Sequence, residues 1–186
     1  MATYLETERM TLREFTADDV ELIVELDSNP EVMFWITGGR PTPRDEVRDD
    51  VLPYWMAFYD RPGGFGFWAA HERADGRFLG WFHLRPAPDR SASDGAELGY
   101  RLRRAEWGRG YATEGARALI RKGFTDLGLE RIFAETMAVN IASRRVMEKA
   151  GLRYLGTFHA DWPDKIPGDE HGDVEYALTR DEWADN

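Results

Sequence analysis

"EWGRGYATEGARAL", residues Glu106–Leu119, sets two glycines and an alanine against the start of an amphipathic helix. Glycine this dense costs backbone entropy, so the spacing implies a close approach of something to the main chain. From Gly110 onward Ala112, Ala116, Leu119, Ile120, Phe124 and Leu127 follow a helical period, and Gly128 closes it. Ahead of the glycines, "AELGYRL" reads as a strand from about Glu97 to Arg103. A strand, a short glycine turn and a helix N-terminus make an anion site by construction. Successive amides point outward where the helix dipole amounts to roughly +0.5 charge. Arg104 and Arg109 are placed to add charge-assisted contacts. Two phosphate motifs are excluded. A Walker A loop needs Gly-Lys-Ser/Thr where this chain has Gly-Tyr-Ala-Thr, and a dinucleotide fingerprint wants a third glycine where Thr113 stands. The same glycines also suit a tight strand–helix connection with no ligand.

Outward from this stretch, the order is strands and helices in alternation. "RMTLREF" (Arg9–Phe15) alternates like a strand, and Thr16 caps "ADDVELIVELDS". A turn-rich "TGGRPTP" leads to a second helix, about Thr42 to Tyr59, which Pro53 should kink or divide. "GFGFWAAHER" and "RFLGWFHLRP" form a hairpin around "ADGR". After the glycine-led helix, "RIFAETM" is a strand and "NIASRRVMEKAG" a helix with Asn140 at its N-cap and Gly151 past its end. "LRYLGTFH" and "DVEYALTR" are strands joined by a proline- and aspartate-rich loop. This is an α+β pattern, a mixed sheet with helices on it, expected as a single domain over 1–186.

Composition narrows the function classes. At 186 residues, 42% hydrophobic and 31% charged, the chain reads as an ordinary globular protein. No apolar run approaches the roughly 20 residues of a membrane span, and "MATYLETERM" is charged where a secretory peptide would be apolar. The expectation is a cytoplasmic protein with no membrane partner. With no cysteine there is no thiolate nucleophile. The four histidines, His71, His83, His159 and His171, lack ligand spacing, so no metal is expected. A net charge of −10 argues against nucleic acid and favours cationic small molecules or peptide amines, although acidity also serves solubility alone.

"WGRGYATEGARAL", followed some thirty residues on by "NIASRRVMEKAGL", resembles the acetyl-CoA-binding half of the GNAT N-acetyltransferase superfamily. Within it the chain is similar to the RimJ/RimL-like branch of ribosomal-protein-alanine acetyltransferases. "LETERMTLREFTADDVELI" and "DVEYAL" extend the likeness over nearly the whole length. The resemblance implies the GNAT acyl-CoA N-acyltransferase fold, with a mostly antiparallel sheet of about seven strands and one splayed strand pair, and acetyl-CoA as co-substrate. It places the pyrophosphate loop on Trp107, Gly108, Arg109, Gly110, Tyr111 and Ala112, reaching Thr113, with Trp107 where Gln or Arg is usual. It implies that the backbone near Leu102 pairs with the pantetheine arm and that Asn140 helps hold the coenzyme. Members of the branch often form homodimers.

Acetyl transfer from a thioester to an amine needs a neutral amine, a stabilised carbonyl oxygen and a leaving thiol. An alkyl amine of pKa near 10.4 is neutral about once in 2,500 at pH 7, a deficit of roughly 4–5 kcal/mol. An α-amine near 7.7–8.0 is neutral about one time in ten. A thiol near 8.5 leaves fairly willingly, so the base matters more than the acid. Glu135, five residues before Asn140, matches the position where some protein-N-terminus acetyltransferases carry a glutamate; a surface carboxylate paired with arginine is the plain alternative. Glu97 is the second candidate. The tyrosine many GNAT enzymes use as acid is absent, Met147 standing in its place, while Ser143 occupies the position of a branch serine near the sulfur or simply extends the helix cap. The resemblance puts the acceptor groove at the first helices, with Trp35 and Trp55 as candidate lining. Carboxylates of the Asp161–Asp173 loop could attract a cationic acceptor. The expected activity is direct acetyl transfer to a primary amine, either a protein N-terminus or a small cation such as a polyamine or aminoglycoside. A longer acyl group, a non-catalytic acyl-CoA-binding module and a partner-binding scaffold stay open.

Overall fold

The computed structural model describes residues 2–86, 95–161 and 165–185. Among the described residues, eight strands form one sheet in the order β1-β2-β3-β4-β5-β6-β8-β7. They are β1 (Thr3–Glu6), β2 (Met10–Glu14), β3 (Gly66–Glu72), β4 (Phe78–Pro86), β5 (Ala96–Leu102), β6 (Arg131–Met137), β7 (Arg153–Phe158) and β8 (Asp173–Thr179). Every neighbouring pair is antiparallel except β5 and β6. The extra strand over the expected seven is β1, whose four residues are too few to show a period and which pairs with β2 from Thr3↔Arg13 to Glu6↔Thr11.

The helices are α1 (Val20–Asp27), α2 (Pro30–Thr37), α3 (Arg44–Glu46), α4 (Leu52–Met56), α5 (Tyr111–Thr125), α6 (Ile141–Ala150) and α7 (Arg180–Ala184). α2 is separate from α1 because the Asn29 side chain caps it, accepting from Glu31 N–H at 2.9 Å, with Pro30 in its first turn. The expected Thr42–Tyr59 helix is instead α3 and α4 joined by a π-turn over Val47–Val51. Pro53 has no N–H to return to the preceding turn, and the widening falls just ahead of it.

Alternation sorts the core into two layers. Leu84, Leu98, Leu119, Ile120 and Ile132 belong to the layer under α5 and α6. Ile23, Leu26, Leu52, Trp55, Phe67 and Trp81 form the layer under α1 to α4. α5 lies close to the sheet because Gly115 has no side chain: a Cβ there would sit 2.4 Å from the Phe82 ring.

Candidate active site

β5 and β6 pair through only two positions, Ala96↔Ile132 and Glu97↔Phe133. Beyond them β5 stays with β4 as far as Leu102, while β6 stays with β8 as far as Met137. The two strands therefore diverge, and the sheet opens into a V. A cavity of about 820 Å³ runs through the opening. Its lining comes from both sides of the sheet: the start of α5 and one flank of α6 on one side, α2 and the Glu97 face of β5 on the other.

The glycine turn lies at the α5 side. Gly108 and Gly110 have φ of +72° and +87°, a region costly for side chains, and Gly110 is the helix N-cap. Nothing stands within 4 Å of a Cβ built on Gly108, whereas one on Gly110 would meet the Arg9 guanidinium at 3.3 Å. Among the described residues, none accepts a hydrogen bond from the backbone amides of Gly108 to Thr113. These orphan donors, together with the dipole of a fifteen-residue helix, are what an anion needs.

The two arginines expected at this turn are turned elsewhere. Arg104 reaches Glu31 at 2.8 Å and lies over the Trp107 ring, and Arg109 bonds Glu106 at 2.8 Å. Neither lines the cavity; the basic side chains that do line this half are Arg145 and Lys149 of α6. The sequence carried only a weak signal for them, one helical turn apart on a helix whose other residues gave no reason to single them out. Trp107 lines the cavity too, its indole N–H donating to Leu102 O at 2.9 Å. That carbonyl is thus already engaged by its own chain. Asn140 Oδ1 accepts from Ser143 N–H at 3.2 Å, and Ser143 Oγ lies 3.1 Å from the Tyr100 hydroxyl. Burial pushes the Tyr100 pKa up to about 12. Nothing in the sequence marks Tyr100, whose position in β5 reads as one more alternating aromatic.

On the other side of the V, the β4–β5 register puts Trp81 opposite Arg101, His83 opposite Gly99 and Arg85 opposite Glu97. Glu97 bonds Arg85 at 2.9 Å and lies 3.6 Å from His83 Nε2. Burial alone would raise the Glu97 pKa, but His83 and Arg85 outweigh it and hold the carboxyl below its usual range. Burial lowers the pKa of His83, and neither of its ring nitrogens has a hydrogen-bond partner among the described residues. Glu135 lines the cavity from β6, as do Asp169 and Asp173 from the loop and start of β8. Asp161 is spent on Lys165 at 3.5 Å, Glu170 accepts from the Gly168 amide at 2.9 Å, and Asp164 lies outside the described residues.

Trp35 faces the cavity. Trp55 does not. It is buried in the α1–α4 layer, stacked on Phe67 at 4.9 Å and tilted against Trp81 at 5.1 Å, so it supports the groove from beneath rather than lining it. The π-turn before Pro53 leaves Tyr54 exposed and Trp55 turned inward.

Residues 9–153 match the profile of the acetyltransferase (GNAT) domain. The chain belongs to the GNAT acetyltransferases. An FsC-acetyl coenzyme A-N(2)-transacetylase of Aspergillus fumigatus is 39% identical over 184 residues, covering 96% of this chain and 77% of that protein. RimL, a ribosomal L7/L12 alpha-N-protein acetyltransferase solved with coenzyme A, superposes with a TM-score of 0.78 at 16% identity, over 96% of this chain and 98% of its own. The aminoglycoside acetyltransferase AAC(6')-Ib, solved with coenzyme A, gives 0.73 at 21%, over 95% and 98%. At such identities the two structures share the fold. As a GNAT acetyltransferase, the chain is an acyltransferase that takes its acetyl group from acetyl-CoA and delivers it to nitrogen. No helix among the described residues is long and apolar enough to cross a membrane.

Proposed function

We propose that this GNAT acetyltransferase holds the diphosphate of acetyl-CoA on the amides of Gly108 to Thr113 and acetylates a primary amine that enters from the Glu97 face. The observation that carries the reading is the row of unbonded amides opening into a cavity that passes through the splayed sheet. Trp107, Tyr111, Ala112 and Asn140 shape the coenzyme half, and Arg145 and Lys149 supply positive charge in place of Arg104 and Arg109. The Arg104–Glu31 pair is half exposed, so re-aiming Arg104 at a phosphate costs little. The pantetheine arm follows the open edge of β5 near Leu102.

When bound, the thioester supplies an electrophilic acetyl carbon. The amine nitrogen forms a bond to that carbon as the carbon–sulfur bond breaks, the amine proton leaves to a base and the sulfur gains one. Glu135 is the base, directly or through a water, because it faces the cavity on the strand beyond the last β5–β6 pairing. Glu97, held ionised at low pKa by His83 and Arg85, is the weaker proton acceptor and helps attract the ammonium. Ser143 donates toward the sulfur. The acceptors named for RimL and AAC(6')-Ib, a protein α-amine and an aminoglycoside, are both amines, which fits an acidic protein.

The test is calorimetry with acetyl-CoA, together with thiol release on an amine panel. Glu135→Gln should lower kcat/KM by about a hundredfold, the lower end of what a general base contributes, with coenzyme Kd unchanged. Full turnover in that variant removes Glu135 from the role. Absence of heat with acetyl-CoA removes the reading itself.

A further inference from the structure

The acceptor half of the cavity is not uniformly acidic. Val32, Trp35 and Ile36 of α2 line it from one side. Ile166 extends this side: its Cγ2 would stand 3.1 Å from a Cβ on Gly38, the left-handed C-cap of α2. The loop before β8 thus leans on the end of α2 and delivers an isoleucine to the same wall. Ile36 is 45% exposed, one of six large hydrophobics among the described residues exposed by more than a third, and Trp107, which also lines this cavity, is another. Apolar surface left open inside a concave site marks what the site is built to cover.

Carboxylates line the same cavity. Glu97 sits at the last pairing of the V, Glu135 lies two residues further along β6, and Asp173, opposite Met137 on β8, and Asp169 stand toward its open end. Close to α2, Asp27 is buried against Arg101 at 2.6 Å and the Thr42 hydroxyl at 2.7 Å, and Glu31 is taken by Arg104 at 2.8 Å. α2 adds no acidic side chain of its own to the cavity lining, so a charge lying along it would meet Trp35, Ile36 and Ile166, where an unpartnered charge is expensive.

Resting on the acetyltransferase reading above, we propose that the acceptor is a monocationic amine carried on an apolar body. Its ammonium is drawn to the carboxylates of the V, and its hydrocarbon or aromatic part lies against Trp35, Ile36 and Ile166. A polyamine or an aminoglycoside is the wrong shape of charge for this wall. Two sources share the chemistry, a free arylalkylamine and a peptide whose first side chain is apolar, and the experiment separates them.

The probes are phenethylamine, the tripeptide Phe-Gly-Gly, spermidine and kanamycin. Each is titrated by calorimetry into the protein with coenzyme A present, and turnover is followed with acetyl-CoA. Phenethylamine or Phe-Gly-Gly should bind at least tenfold more tightly than spermidine and kanamycin, and the tighter of the two identifies the source. Trp35→Ala and Ile166→Ala should each raise the Kd and KM of that probe about tenfold, leave kcat within twofold and leave coenzyme affinity unchanged. Equal or tighter binding of spermidine or kanamycin overturns the proposal. So does unaltered binding of the apolar probes in both variants. Coenzyme titrated alone reads the cofactor assignment separately, and amine heats are recorded whether or not the coenzyme binds.

Discussion

The Tyr100 and Ser143 hydroxyls meet at 3.1 Å where β5 faces α6. Burial keeps Tyr100 protonated across the working range, since its pKa is pushed up to about 12. A phenol that never ionises is a poor direct acid for a thiolate, but it is a constant donor. If it donates to Ser143 Oγ, the serine hydrogen stays available to the leaving sulfur, and Tyr100 acts as a positioning residue. Tyr100→Phe removes one hydrogen bond of about 0.5–1.5 kcal/mol, so kcat should fall three- to tenfold with coenzyme Kd nearly unchanged. Ser143→Ala should fall by a similar factor, and the double variant by no more than the larger single effect, because the two hydroxyls act through one hydrogen. Additive losses in a double-mutant cycle would show that they work separately. At this scale the sequence exposes residues with a fixed local partner, such as Asn140 capping α6, and hides those whose partner comes from a distant strand. Tyr100 and Ser143 are such a pair, as are Trp55 and Phe67.

The glycine turn is held by an element far from it in sequence. Glu114, in the first turn of α5, accepts from Thr7 Oγ1 at 2.6 Å, from the Arg9 amide at 2.9 Å and from Arg9 Nε at 2.7 Å. Arg9 in turn donates to Arg109 O at 3.0 Å and lies over the Tyr111 ring at 4.3 Å. The segment leading into β2 thus fixes both ends of the turn, and a carboxylate at a helix N-terminus also favours the dipole. Glu114→Ala strands three donors and loosens Arg109, which should cost about 2 kcal/mol of stability by urea unfolding and weaken acetyl-CoA binding several-fold. Unchanged coenzyme affinity in the folded variant would mean that the turn holds its shape without this clamp. Helices α5 and α6 and the β3–β4 hairpin are legible because each carries its own caps or turn residues. β1 is not, its order coming from pairing with β2 rather than from any period of its own, and α7 is too short to show a period, its one local signal being the capping box of Thr179 and Glu182.

Across the whole molecule, the buried histidines and the paired carboxylates that titrate out of step with water act in one direction. Burial pushes the pKa of His83 and His71 below the usual imidazole value of about 6.5, so the folded chain carries them neutral where the unfolded chain binds a proton. Their contribution is therefore complete above that value and lost as pH falls below it. Glu97, Glu114 and Asp19 titrate below their usual range, because arginine, histidine and hydrogen-bond partners outweigh the effect of burial. Their contribution is present above the unfolded carboxyl value of about 4 and disappears as pH drops through the folded one. Acid also discharges a chain of net charge −10, which relieves self-repulsion and works the other way. That relief is spread over the surface and is screened within about 8 Å at physiological salt, while His83 is buried against Trp81, Phe67 and Gly99. The buried histidines should win. Urea midpoints at 0.15 M salt should hold from pH 8 to about 6.5, decline between 6.5 and 5, and fall more steeply below 4.5. A plateau extending from pH 7 to 5 would mean that the His83 ring takes up its proton as readily in the folded chain as in the unfolded one, whereas burial, with Arg85 and Arg101 beside it, outweighs the pull of Glu97 toward the protonated form.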